Sequence, residues 1–255
     1  MAEGAATFQV AAEAYDRHAG RYGPELAPAL IAAAGVTPGM RALDVGCGPG
    51  ALTRELVGLL GASSVVAIDP SPPFVEAIRT RLPGVDVSLG RGEALPYEDA
   101  TFDAALAQLA LNFMSDPPAG VREMRRVVRP GGVVAVAVWD YVGEMTLLRA
   151  FWDTVTATDP AGSALDEGAS MPYCTPETLG ELFADVRPVV VSAGYDGFED
   201  LWAPLAAGVG PAGAYVIALP ADRRAAFKAA FRDRLGVADE PFRLTARAWI
   251  GVERT

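Results

Sequence analysis

Between Arg41 and Thr53 the chain reads Arg-Ala-Leu-Asp-Val-Gly-Cys-Gly-Pro-Gly-Ala-Leu-Thr. An apolar strand (Ala42, Leu43, Val45) runs into a turn with glycine at every second position, and the turn opens a helix predicted from about Ala51 to Leu60. Strand, glycine turn and helix in that order point to a doubly wound α/β sheet, where this junction is the place a nucleotide-like ligand binds. Glycine lets the backbone take a positive φ and lets a ligand approach without a Cβ in the way. The N–H groups that open the helix favour a negative ligand group. A dinucleotide fingerprint is spaced G-x-G-x-x-G, whereas Gly46, Gly48 and Gly50 give G-x-G-x-G with Asp44 two residues ahead of the first. A carboxylate at that position repels a pyrophosphate and suits the ammonium of an amino acid.

The rest of the chain supports the sheet. Residues 1–38 read as helices ahead of the first strand: Phe8, Ala11, Ala12, Tyr15 and Ala19 fall near helical spacing. Pro24 suits the start of a helix running to about Ala34. Strands are predicted at about 41–45, 65–69, 85–89, 103–108 and 133–139. One helix lies between them at about 72–81, and another starts after Asp116, a natural cap, with Pro117 in its first turn. The alternation implies a parallel sheet, and the unbroken apolar run Val133 to Trp139 reads as its buried centre. Then come a helix at about 143–157, a short one at about 176–184 and a strand at about 187–194. A helical stretch at about 198–235, broken at Gly208, Gly210, Pro211 and Pro220, precedes a last strand at about 242–251. Two late strands around a helical insert fit an antiparallel pair with a cap between them.

The junction has companions. Asp69 ends the second strand, 25 residues after Asp44, where a carboxylate can accept both hydroxyls of a ribose. Pro70-Ser71-Pro72-Pro73-Phe74 follows and offers an aromatic face to a base. Gly90-Arg91-Gly92-Glu93-Ala94-Leu95-Pro96-Tyr97 lies ahead of the fourth strand. Leu106-Ala107-Gln108-Leu109-Ala110-Leu111-Asn112-Phe113 spans that strand's end, and Arg125-Arg126-Val127-Val128-Arg129-Pro130-Gly131-Gly132 closes the turn before the fifth.

Taken in order over roughly residues 38–139, these motifs resemble class I S-adenosylmethionine-dependent methyltransferases, in particular the broad group of small-molecule and quinone-biosynthesis C-methyltransferases. The resemblance implies a Rossmann-like, mostly parallel seven-stranded sheet with an antiparallel last strand and a helical lid. Residues 1–38 would cover the site, 39–141 form the cofactor-binding core, and 142–255 complete the sheet with a cap insert at about 196–240. It implies S-adenosylmethionine as cofactor and S-adenosylhomocysteine as product. The cofactor would contact Asp44, Gly46, Cys47 and Gly48, then Asp69, Pro70 and Phe74, then Gly92, Glu93 and Ala94. Gln108, Leu109 and Phe113 would face its methionine part, Gln108 through its carbonyl or its amide. Where the family places an acid at the adenine edge this chain has Arg91, so Glu93 or the backbone of Gly92 and Glu93 is left to read the base. Gly131 is expected to terminate the preceding helix. The segment Tyr15-Asp16-Arg17-His18-Ala19-Gly20-Arg21-Tyr22 looks like one that folds over the cofactor in the same group. In that reading Tyr15 and Tyr22 lie against the cofactor, with Tyr22 over the sulfonium, and Arg21 pairs with its carboxylate.

Methyl transfer from a sulfonium is an in-line displacement, and a base is needed only when the acceptor arrives protonated. His18, the only histidine, and Asp140, just past the fifth strand, are the candidates. The plainer readings are a structural histidine and a turn. Apolar and aromatic residues of the expected lid (Phe151, Trp152, Tyr173, Tyr195, Phe198, Trp202, Tyr215) hint at an apolar or aromatic acceptor, although many of them read equally as core.

Composition excludes other classes. A formal net charge of −11 argues against nucleic acid and anionic membrane as partners. The arginines of 122–129 are expected to decorate a solvated helix face. Two cysteines make neither a disulfide framework nor a zinc cluster, and no metal is expected. An N-terminus without early Lys or Arg is unlike a signal peptide, so a cytoplasmic protein, monomer or homodimer, with a small-molecule substrate is expected. Two other functions fit less well. One is a protein that holds S-adenosylmethionine without transferring the methyl; the other is an NAD-dependent dehydrogenase, which the glycine spacing and Asp44 disfavour.

Overall fold

The computed structural model describes residues 19–255. Seven strands form one sheet: β1 Ala42–Val45, β2 Val65–Asp69, β3 Asp86–Leu89, β4 Phe102–Gln108, β5 Val128–Trp139, β6 Asp185–Tyr195 and β7 Phe242–Arg254. Their order is β3-β2-β1-β4-β5-β7-β6. The first five run parallel, and β7 pairs antiparallel with both β5 and β6. Every residue of β1 and β2 is buried, as is Val133 to Trp139 of β5, because helices cover both faces.

The helices at the core are α1 Gly23–Ala34, α2 Ala51–Leu60, α3 Pro72–Arg81 and α4 Pro117–Val127. Each begins where local chemistry dictates. Pro24 and Pro72 stand in the first turns of α1 and α3. The Asp116 carboxylate accepts the Ala119 N–H at 2.9 Å and caps α4. After β5 come α5 Thr146–Thr158 and two one-turn helices, α6 Glu167–Ser170 and α7 Pro176–Leu179. Between β6 and β7 lie α8 Phe198–Ala206, α9 Gly210–Ala218 and α10 Ala221–Leu235. The breaks fall at the glycines and at Pro220, as the sequence predicts. Among the described residues no single helix is long and apolar enough to cross a membrane.

Three expectations change. Gly131 does not end a helix. Helix α4 stops at Val127, and residues 129–132 form an irregularity in β5, where the register jumps from Phe102–Val128 to Ala104–Val133. Gly131 takes φ +83° there, and its N–H donates to the Thr255 carbonyl at 2.7 Å. Of the arginines in 122–129, Arg122 and Arg129 are exposed as expected, but Arg125 and Arg126 are not a solvated face. Arg125 holds Glu253 and the Leu182 carbonyl; Arg126 holds Glu123, Asp99 and the carbonyls of Leu95 and Tyr97. Helix α5 starts three residues later than expected because Asp140 organises the turn ahead of it. Its carboxylate accepts the N–H groups of Gly143 and Glu144, both at 2.9 Å, and the Arg247 guanidinium at 2.6 Å.

Six of the seven aromatic residues of the expected lid are core, and Tyr173 is only partly buried against it. Phe151, Trp152, Tyr195, Phe198, Trp202 and Tyr215 are all buried. Phe151 is the hub: its ring centre lies 5.0 Å from Phe227 and 5.5 Å from Phe231, which bolts α5 to α10.

Candidate active site

A cleft opens at the carboxyl ends of β1, β2 and β4 and beside the loop after β3. It encloses about 1040 Å³ of empty space, counting the part open to solvent. This is the crevice where the strand order reverses, between β1 and β4.

The glycine loop forms its floor. Gly46, Gly48 and Gly50 all have positive φ, at +70°, +53° and +101°. The N–H groups of Gly46 and Cys47 both donate to the Ile68 carbonyl, at 2.8 and 3.1 Å, so the loop is stitched to β2. A Cβ on Gly46 would stand 2.4 Å from the Cβ of Ala110, which no packing tolerates.

Asp44 lies beneath the loop and is completely buried. Its Oδ2 accepts the Thr53 hydroxyl at 2.6 Å. Its Oδ1 has no hydrogen-bond partner among the described residues. Burial pushes its carboxyl up to about 7, with the Thr53 hydroxyl pulling the other way and the charge of Asp69 adding to the rise. An orphaned buried acceptor beside a cleft calls for a donor from a ligand.

Asp69 ends β2. Its Oδ2 accepts the Gly48 N–H at 2.9 Å and its Oδ1 the Ser71 N–H at 2.8 Å. Burial raises its carboxyl, and these two N–H groups restrain the rise. Each oxygen keeps a lone pair for a hydroxyl donor. Pro70, Ser71 and Phe74 follow it along the wall, and the Ser71 hydroxyl is buried without a partner among the described residues.

Arg91, Gly92 and Glu93 line the cleft beyond β3. Glu93 Oε1 accepts the Ser115 N–H at 2.7 Å, and Arg91 donates to the Ser115 hydroxyl at 2.5 Å. Ala94 does not reach the cleft; its N–H closes a turn onto the Arg91 carbonyl at 3.2 Å. At the end of β4 stand Gln108, Leu109, Ala110 and Phe113. The Gln108 Oε1 is a third buried orphan lining the cleft, among the described residues. Leu109 takes φ +58°, a left-handed conformation that costs a leucine about 1–2 kcal/mol, and its N–H is held by the Ala137 carbonyl at 2.8 Å.

The structure thus brings together Asp44, Gly46, Cys47, Gly48, Asp69, Pro70, Phe74, Gly92, Glu93, Gln108, Leu109 and Phe113 around one cleft. Arg21 and Tyr22 stand elsewhere. Arg21 pairs with Asp200 at 2.5 Å and lies 4.8 Å from the Tyr195 ring centre. Tyr22 is fully buried, edge-on to Trp139, with its hydroxyl 3.5 Å from that of Tyr195. Asp140 belongs to the turn described above. Tyr15 and His18 lie outside the described residues. Gly20, from the segment expected over the cofactor, also lines the cleft, and so do Gly23 and Met114, which the sequence did not mark.

The donor set fits S-adenosylmethionine. The Asp44 orphan suits an ammonium, Asp69 suits a pair of ribose hydroxyls, and the glycine floor leaves room at close range.

Residues 43–136 match the model of the methyltransferase domain family. Over 136 residues the chain is 38% identical to an uncharacterized methyltransferase of Mycobacterium bovis, covering 52% of each chain. Over 165 residues it is 35% identical to a malonyl-acyl-carrier-protein O-methyltransferase of Salmonella typhimurium, covering 65% of this chain and 64% of that one. The chain spans about half the length of the first curated relatives it matches. Among solved structures, a protein from Bacillus subtilis superposes with a TM-score of 0.57 at 17% identity, over 91% of this chain and 99% of the other. A (4+2)-cyclase superposes with a TM-score of 0.56 at 24% identity, over 91% of this chain and 80% of the other. These last two likenesses are of fold. By the match over residues 43–136 the chain carries a methyltransferase domain, and its seven-stranded sheet has the Rossmann-like fold of the class I methyltransferases.

Proposed function

We propose that the protein transfers a methyl group from S-adenosylmethionine to a small, apolar or aromatic molecule by in-line displacement. The observation that carries this reading is the buried, unpartnered Oδ1 of Asp44 at the floor of the cleft, one strand away from Asp69. Asp44 would hold the ammonium, Asp69 the ribose hydroxyls, and Phe74 a face of the base. The cofactor supplies a methyl group that is already activated. The work left to the chain is to align an acceptor and keep water out. Leu52, Leu109, Ala110, Phe113 and Met114 give the cleft an apolar wall suited to both. With most of the lid aromatics packed into the core, it is this wall that favours an apolar acceptor. A malonyl-acyl-carrier-protein O-methyltransferase among the relatives is in keeping with an organic acceptor.

The test is calorimetric titration with S-adenosylmethionine, S-adenosylhomocysteine and NAD on the wild type, Asp69→Ala and Asp69→Asn. Micromolar binding of both sulfur nucleosides, weakened at least tenfold in both variants, is expected. Silence with both, or binding of NAD instead, would refute the reading. A cyclase with this fold makes a second reading worth separating: a chain that binds the cofactor without transferring its methyl. Release of S-adenosylhomocysteine across a panel of phenols, carboxylates and enolisable carbonyls decides between the two.

A further inference from the structure

The ends of β1, β2 and β3 lie side by side in that order, about 4.8 Å apart from strand to strand. They carry Asp44, Asp69 and, just past the third, Arg91 and Glu93. A nucleoside whose ribose rests on Asp69 and whose amino-acid tail reaches Asp44 therefore has its base at Arg91 and Glu93. At this end the cleft holds a cation and an anion together. Arg91 Nη2 lies 3.6 Å from Glu93 Oε1, and the two are tied through Ser115, whose N–H serves the carboxylate and whose hydroxyl serves the guanidinium.

We infer that Arg91 makes the base end of this cleft accept a 6-oxopurine, so that the protein binds inosyl as well as adenosyl sulfur nucleosides. This rests on the cofactor reading above. The two bases present opposite patterns on one edge: adenine has an amine donor beside an acceptor nitrogen, hypoxanthine an oxo acceptor beside an N–H donor. A carboxylate alone only accepts, so it takes the amine and turns away the oxo group. A guanidinium only donates, through five N–H groups. With Arg91 and Glu93 side by side, each base finds one donor and one acceptor, and neither base leaves a buried polar atom unpaired. Selectivity of tenfold or more arises where a polar edge meets the wrong partner, and this pair removes that penalty. The Glu93 side chain is only 15% exposed, so its carboxylate is held in place; the Arg91 side chain is 58% exposed and can adjust to either base.

The experiment measures dissociation constants for S-adenosylhomocysteine and S-inosylhomocysteine by calorimetry on the wild type, Arg91→Asp and Arg91→Gln. In the wild type the inosyl compound is expected to bind within about threefold of the adenosyl one; a ratio above tenfold overturns the inference. Arg91→Asp should raise the ratio at least tenfold, mainly through loss of inosyl binding. Arg91→Gln, whose amide both donates and accepts, should stay near the wild type. An unchanged ratio in Arg91→Asp overturns the assignment to Arg91. Failure of the adenosyl compound itself to bind the wild type is a separate result, and it removes the cofactor reading and this inference together.

Discussion

Arg21 and Asp200 stand 179 residues apart in the chain and meet at 2.5 Å, with 18% and 30% of their side chains exposed. The guanidinium also donates to the Gly194 carbonyl at 3.1 Å. The pair ties the turn that carries Gly20 and Gly23, both on the cleft wall, to the helical insert between β6 and β7. A double-mutant cycle on Arg21→Ala and Asp200→Ala should give a coupling energy of about 1 kcal/mol in urea unfolding. Asp200→Asn alone should weaken S-adenosylhomocysteine several-fold, because the turn loses its anchor. Unaltered affinity would mean that the insert does not help to hold the cleft wall.

Asp44 sets a pH dependence. Its folded carboxyl is held up to about 7 by burial, while the unfolded chain titrates in the ordinary carboxylate range. Between those values the folded protein keeps a proton that the unfolded chain has released. Stability therefore falls as pH rises across that window and levels off above it. Asp44→Asn should flatten this profile and stabilise the ligand-free protein at pH 8 by on the order of 3 kcal/mol. The same substitution should weaken any ligand that carries an ammonium. Binding to the wild type at pH 6 should release a proton, read as different heats in two buffers of different ionisation enthalpy. A flat wild-type profile and equal heats would show Asp44 already ionised.

Gly46→Ala should cost about 2–4 kcal/mol, combining a left-handed backbone with a collision against Ala110. Adding Ala110→Gly should recover the part due to the collision and leave the rest. If the second change recovers nothing, the 2.4 Å contact is not what excludes a side chain there.

Neither cysteine should be reactive. Cys47 and Cys174 are both buried. Burial raises both thiols, with the charges of Asp44 and Asp69 adding to it for Cys47, while Asp140 and Glu167 help push Cys174 up to about 12. Mass spectrometry after iodoacetamide at pH 8 should find both unmodified in the folded protein and both alkylated in urea.

The core of this chain was legible because its signals are local. The strand that ends in Asp44, the alternating glycines, the acid that closes β2 and the Asp116-Pro117 helix start each act within a few residues of themselves. Arg21 and Tyr22 were not legible, because their partners Asp200, Tyr195 and Trp139 lie far away in sequence. Arg125 and Arg126 misled for the same reason. They look solvated until Glu253 and Asp99 are folded against them. Gly131 reads as a helix end beside Pro130, yet its partner is the carbonyl of Thr255, which only the pairing of β5 with β7 brings near. The lid aromatics were ambiguous in sequence, because a ring that packs against Phe227 or Phe231 has the same composition signal as one that faces a substrate.

The seating of β7 between β5 and β6 has a consequence for how the protein is made. Phe242 follows Trp139 by 103 residues, so during synthesis the apolar strand β5 emerges long before the strand that seals its outer side. Until β7 arrives, the nascent chain presents an open strand edge along the apolar run Val133 to Trp139, a surface that recruits other unfinished chains. The helices α5 to α10 are translated in that interval and can fold locally, but the sheet cannot close. Slowed translation or a stall ahead of residue 242 should therefore lower the soluble yield more than the same stall placed ahead of β4.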